Sequence, residues 1–447
     1  MPLLAMLLPS EQEYSPEHAS IRNGENMNKN LKRGLSFAAV AATAAMLLTA
    51  CAPAKFDAAS CTDAKLALGT LLPTTGNLAF LGPPEIAGVD LAVKEINDNG
   101  GVGGACVSIK HTDSGDTTTN TASQSQAALK SAGVDAIVGA ASSGVTLSVI
   151  DKVIADEMVQ VSPANTAPVL STYEDNGFYF RTAPSDVLQG RVLGNKILAD
   201  GYSNVAFLTI QDPYGVGLQE NAQLSIEAQG GSVVANEEFP PSSKNVNAQV
   251  DKVLASQPDA IAVISFDEVK VILPYLVKTK GWNPEALYLV DGNTGNFDAD
   301  FTDFNIAGAQ GTIPGVIATD DFKTRLATVN KDLTDFAYAA ESYDATMLIA
   351  LAASVAVQNG EDVTGATIKK YMVEVSKDGE KVDFTTGNGY KTALDLIKAG
   401  KDIDFEGVSG PISFDDNGDP TEAYVGTYLY GEDNKNTPQE AVYGKID

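Results

Sequence analysis

The sequence predicts an α/β protein of two lobes, each a doubly wound, mainly parallel sheet, with several hinge crossings between them. Three observations carry this. Short β-rich runs alternate with helical patterns, the alternation restarts near the middle of the chain, and the length leaves too many residues for one small core. Alternation of this kind buries both faces of a parallel sheet, and the length suits two lobes.

The first element is a leader. Lys29, Lys32 and Arg33 form a basic region, and Leu35 to Leu48 is an apolar run broken only by Ser36 and Thr43. The run is short and Ala-rich for a transmembrane span and reads as a secretory signal over residues 27–50. Leu48-Thr49-Ala50-Cys51 follows, with a small residue before a Cys and Leu three positions ahead of it. That is the pattern of a lipoprotein signal, with Cys51 as the lipidated residue. Each buried CH₂ of such an anchor contributes about 0.8 kcal/mol. Residues 1–26 precede a natural start at Met27 and read as a mis-assigned or disordered leader, and residues 51–61 as the anchored linker.

The mature chain then has 447 − 50 = 397 residues. Lys65–Gly69 reads as a strand, Pro84–Asn97 as a helix with Ile86, Val89, Val93 and Ile96 on one face, and Gly100-Gly101 as its stop. Cys106–His111 is a strand, Thr119–Ser131 a helix, Ala136–Gly139 a buried strand, Ser143–Glu157 a helix and Val159–Val161 a strand. The second series comprises strands at Asn204–Ile210, Ser232–Phe239, Ala260–Ser265 and Leu287–Val290. Helices at Gly215–Ala228, Val246–Ser256 and Val269–Lys280 separate them. Phe336, Ala340, Tyr343, Met347 and Leu351 mark a long helix, and Gly410–Tyr430 is β-like with a turn at Asp416–Asp419. The expected lobes are 62–184 with 318–408, and 185–317 with 409–447.

The net charge of −28 falls wholly on the mature part, because the leader carries four basic and four acidic side chains. Such a surface disfavours nucleic acid and anionic headgroups. The 44% apolar content argues against a disordered acidic chain. Two cysteines remain beside Cys51. Cys61 precedes the first strand and Cys106 opens the second, so parallel neighbouring strands place them side by side. Export permits oxidation, and a Cys61–Cys106 disulfide is expected, the alternative being two unpaired thiols.

In open α/β sheets ligands bind beyond the carboxyl ends of the strands. Four such ends are polar: Ser142-Ser143 at a helix start, Ser162 to Thr166, Gln211 to Gly215, and Asp291 to Gly295. Singly, each reads as a helix cap or an ordinary turn. Together they offer backbone N–H groups and hydroxyls to a carboxylate, and Asp291 to a cation, a combination that suits a zwitterion.

The chain resembles the extracytoplasmic solute-binding proteins of the branched-chain amino acid type, which have the type I periplasmic-binding fold. The resemblance spans the mature chain. It rests on Leu72-Pro73-Thr74-Thr75-Gly76 with Gly82 and Gly88–Ala92, Glu95–Val102, Val138-Gly139 before Ser142-Ser143, Ser162-Pro163-Ala164, Phe180-Arg181-Thr182, Tyr214-Gly215 and Glu341–Ala345. It implies that Ser143 binds a ligand carboxylate, with Ser142 beside it, and that Ala164 contributes backbone and Thr166 a hydroxyl. It further implies a ligand contact at Tyr214, an ammonium partner at Asp291, and side-chain contacts at Leu81 and Phe266. Asp291 is one methylene shorter than the family's usual glutamate, and Leu81 stands where an aromatic is usual.

The resemblance implies a monomeric, non-enzymatic binding protein that delivers a small solute to the permease subunits of an ABC importer. It would be held on the outer face of the bacterial cell membrane by its lipid and need no cofactor. Solutes such as amides, urea-like molecules and aromatic acids, or a sensing role with a signalling partner, are the alternatives. Catalysis by a Ser–His or Cys–His pair would have to use His111, the one histidine of the mature chain. No zinc-type His/Cys cluster or phosphate loop stands in the sequence. Asp415, Asn417 and Asp419 alternate as in calcium loops but lack the twelfth-position glutamate, which leaves a turn.

Overall fold

The computed structural model describes Cys61 and residues 63–446; the leader, the signal and Cys51 lie outside the described residues. The first sheet holds β1 (Leu66–Leu72), β2 (Val107–Asp113), β3 (Ala136–Gly139), β4 (Val159–Ser162) and β5 (Tyr179–Arg181), all parallel in the order β2-β1-β3-β4-β5. Helices α1 (Gly82–Asp98), α2 (Thr121–Ser131) and α3 (Ser143–Ala155) connect its strands. Pro83 and Pro84 open α1, where a missing N–H costs nothing.

The chain crosses to the second lobe along α4 (Asp186–Ala199). The second sheet contains β6 (Asn204–Ile210), β7 (Ser232–Phe239), β8 (Ala260–Ile264), β9 (Leu287–Leu289) and β10 (Gln310–Pro314). These pair in parallel, linked by α5 (Pro213–Ala228), α6 (Asn247–Ala255) and α7 (Val269–Leu273). The helix expected over Val269–Lys280 keeps α-geometry only to Leu273. Pro274 opens a π-helical turn to Thr279, because proline cannot donate to the ladder and its ring clashes with the preceding turn.

After β10 the chain returns to the first lobe through α8 (Asp320–Leu326), α9 (Ala339–Gln358) and α10 (Gly365–Met372). The small parallel pair β11 (Glu380–Asp383) and β12 (Ile403–Glu406) follows, with α11 (Gly389–Lys398) between its strands. Phe336, expected inside the long helix, lies before it. Tyr338, at φ +58°, turns the chain into α9. That helix is buried nearly all round and packs with β1, β3, β4 and α1 in the first lobe's core.

The segment Gly410–Tyr430 carries isolated β-bridges at Pro411, Phe414 and Pro420 and becomes a continuous strand from Glu422. There β13 (Glu422–Tyr430) pairs antiparallel with β10, and β14 (Asn436–Lys445), not expected from sequence, pairs outside β13. One buried ion pair ties the last crossing to β5. Arg181, fully buried, is held by Asp419 through Nε–Oδ1 at 2.7 Å and Nη2–Oδ2 at 2.6 Å. Asp415 Oδ1 accepts from the Asn417 and Asp419 amides, so the calcium-like run is a turn whose last carboxylate serves Arg181. Cys61 and Cys106 form a disulfide with Cα atoms 6.1 Å apart, beside the amino ends of β1 and β2 as expected.

Candidate functional site

The carboxyl ends of β1, β3 and β4 in the first lobe face those of β6, β8 and β9 in the second. Leu81, Ser142, Ser143, Ala164, Tyr214, Phe266 and Asp291 line one narrow cavity of about 10 Å³ between them, with Leu78, Ala141, Gly292 and Tyr338. Seven of the eight expected ligand-contact residues are therefore brought together. Thr166 is not on this wall; its hydroxyl is engaged by Asp186.

The first-lobe wall is built by the turn after β4. Ser162 Oγ donates to the Ala140 carbonyl at 2.6 Å and accepts from the Ala164 and Asn165 amides at 3.3 and 2.9 Å. Asn165 Nδ2 donates to the carbonyls of Ala140 and Ala141. Ser142 Oγ accepts from the Val145 amide and caps α3, whereas Ser143 Oγ accepts from the Ala167 amide at 3.3 Å. The reading of Ser142 as a helix cap is thus correct, and Ser143 presents its hydroxyl beside the first amides of α3. Those amides have no intrahelical partner and favour an anion.

The opposite wall is acidic. Asp291, buried, accepts at Oδ1 from Tyr214 Oη (2.6 Å) and Gln189 Nε2 (2.9 Å), and at Oδ2 from Tyr338 Oη (2.8 Å). Burial raises its pKa while these three donors oppose the rise. Asp186 is fully buried at the start of α4, and burial followed by the charge of Asp291 pushes its pKa well above the carboxylate range. Thr166 Oγ1 donates to Asp186 Oδ2 at 3.0 Å, but Oδ1 has no hydrogen-bond partner among the described residues. Two like charges this deeply buried oppose each other's ionisation, and the buried Arg181 guanidinium partly offsets this at Asp186.

Tyr214 stacks on Phe266 with ring centroids 5.5 Å apart and planes 12° from parallel. This places an aromatic floor beside the acidic wall. Two contacts cross between the lobes at the cleft mouth. Asn77 Nδ2 donates to Ser242 Oγ at 2.9 Å and Glu268 Oε1 at 3.3 Å. Asp212, whose pKa burial pushes up to about 6, comes so close to α3 that a Cβ on Gly144 would lie 2.4 Å from Oδ2.

Sequence reasoning missed Asp186, Gln189 and Tyr338. The strand-end rule would have reached Asp186 had it been applied to β5. Gln189 sits one turn into α4 and Tyr338 precedes α9, with no local signal at either. His111 lies within β2, its ring between Thr70 and Asp90 at 3.0 Å each, away from the cavity. Among the described residues no group of three or more His, Cys, Asp and Glu side chains is arranged for a metal ion.

The model of the periplasmic binding protein family matches residues 65–428. A substrate-binding protein of a chemotactic signal transduction system from Halobacterium salinarum is 26% identical over 372 residues, covering 80% of this chain and 85% of that protein. A Leu/Ile/Val-binding protein homologue from Brucella abortus is 25% identical over 402 residues, covering 88% and 94%. Among solved structures, the branched-chain amino acid transporter substrate-binding protein LivJ of Streptococcus pneumoniae, in complex with isoleucine, superposes with a TM-score of 0.67. It is 22% identical and covers 85% of this chain and 99% of that one.

Proposed function

Because this chain belongs to the periplasmic binding protein family, with the type I fold and a binding rather than enzymatic role, we propose that it captures a small zwitterionic solute between its two lobes. A branched-chain or other amino acid fits the site best. One observation carries the reading: the α3 N-terminus with Ser143, and the buried Asp291, face one cavity from opposite lobes. The carboxylate of an amino acid would take the first end and its ammonium the second. We assign 62–184 and 318–408 to one lobe and 185–317 and 409–447 to the other, which agrees with the strand membership of the two sheets. Loading proceeds by hinge opening, and closure excludes water and strengthens both ionic contacts.

Delivery to the permease subunits of an ABC importer, and anchorage through Cys51 on the outer face of the membrane, complete the proposal. The names of the Brucella and Streptococcus relatives support the solute class and the transport role. The Halobacterium relative favours a second reading, in which the loaded form signals to a partner protein instead. A thermal-shift screen of amino acids, simple amides, urea and benzoate tests the solute, because a ligand at 100 times its Kd stabilises by about 2.7 kcal/mol. Shifts confined to zwitterions support the proposal. Shifts with amides or benzoate but no amino acid overturn it.

A further inference from the structure

A second cavity of about 230 Å³ shares Phe266 and Gly292 with the zwitterion site and is walled by Phe80 and Phe297. Asp335 belongs both to it and to a third cavity of about 170 Å³, on the hinge side of Tyr338. Glu341, which is 3% exposed, lines that third cavity. Among the described residues, no other residue hydrogen-bonds the Glu341 carboxylate, although its backbone carbonyl accepts from Thr182. The backbone of the lobe crossing is pressed against the same carboxylate: a Cβ on Gly315 would lie 1.8 Å from Oε1.

We propose that the hinge-side cavity bounded by Glu341 and Asp335 binds a primary ammonium group. Carboxyl groups crowd it: Glu85, fully buried with neither carboxylate oxygen partnered among the described residues and held protonated by burial, neighbours Glu341, and Asp344 adds a negative charge. The cation on this wall is Lys323, whose ammonium sits over the Phe336 ring and 3.8 Å from Asp320. Burial holds the Glu341 carboxyl at a pKa of about 8, so it carries a proton at neutral pH that a bound cation would displace. The aromatic walls of the intervening cavity suit a methylene stem, as long cationic side chains bury their stems and keep the head in a polar setting.

The ammonium has two sources. It is the distal group of a long zwitterion whose head lies at Ser143 and Asp291, which rests on the function proposed above, or a separate small alkylammonium ion. Calorimetry with L-lysine, L-norleucine and n-butylammonium on the intact chain separates them. A lysine affinity at least tenfold above that of norleucine, collapsing to within threefold in Glu341→Gln and in Asp335→Asn, supports the distal group. Binding of n-butylammonium alone, weakened tenfold in the same variants, supports the separate ion. Thermal melting of both variants confirms that they fold. If norleucine binds, lysine gains nothing and n-butylammonium gives no heat, the inference falls and the zwitterion reading stands. If n-butylammonium binds and neither amino acid does, the zwitterion reading falls and the ammonium cavity stands.

Discussion

Replacing Asp291 by Asn separates what this residue does for the ligand from what it does for the fold. The amide oxygen can still accept from Tyr214 and Gln189, which meet Oδ1 at 2.6 and 2.9 Å, and the Tyr338 hydroxyl can turn to accept from the new NH₂. The charge is lost, and with it the repulsion that helps to raise the pKa of Asp186. The unliganded variant should therefore melt at or above the wild-type temperature. Binding should move the opposite way. Removing one partner of a buried charge pair costs about 2–5 kcal/mol, or about 30- to 5,000-fold in Kd. Calorimetric titration of an amino acid that shifts the wild-type melting point measures this directly. A Kd within about threefold of wild type would refute the pairing of Asp291 with the ammonium. A melting temperature several degrees lower would instead show that Asp291 is needed for the fold.

Burial raises Glu341 from 4.5 to about 8, so the folded chain holds a proton that the unfolded chain releases. That stability is fully present below about pH 4.5 and is lost as pH rises through about 8. Relative to wild type, Glu341→Gln should gain on the order of 4 kcal/mol between pH 5 and pH 9, and a pH-independent difference in urea unfolding would count against it. Asp419→Ala strands the buried Arg181 and should cost about 3–5 kcal/mol of stability; unfolding free energy reads this, and a loss under 1 kcal/mol would contradict the structure. The Cys61–Cys106 bridge closes 45 residues and should contribute about 4 kcal/mol. The unreduced, unfolded protein should show no titratable thiol at these positions, and the Cys61→Ala, Cys106→Ala double variant should melt lower.

Most of the fold was legible because its strands are short, apolar and separated by helical repeats, as at Ala136–Gly139 and Ala260–Ile264. The site was legible where it obeyed the strand-end rule, as at Ser143, Tyr214 and Asp291. The misses have physical causes. The strand β14 reads Asn-Thr-Pro-Gln-Glu, and its polar, largely exposed face gives no alternation to detect. Pro274 breaks a run whose apolar spacing remains helical. Thr166 stands beside Asp186 and off the cavity wall, because a hydroxyl next to a buried carboxylate is drawn to it. Tyr338 and Gln189 reach Asp291 from other parts of the chain, a convergence that only the packed structure produces.

The long helix α9 has a further consequence. By length and composition Ala339–Gln358 could cross a bilayer, yet 94% of its most apolar 18-residue stretch is buried inside the protein. If the chain is exported as proposed, this segment meets the translocation machinery before its partners are folded around it. Glu341 and Asp344, near its first turn, then act against lateral release into lipid, by less than the roughly 2.5–3.5 kcal/mol that an acidic side chain such as Asp costs at the centre of a span. The same carboxyl groups that raise the energy of the core keep this helix on the aqueous route to it.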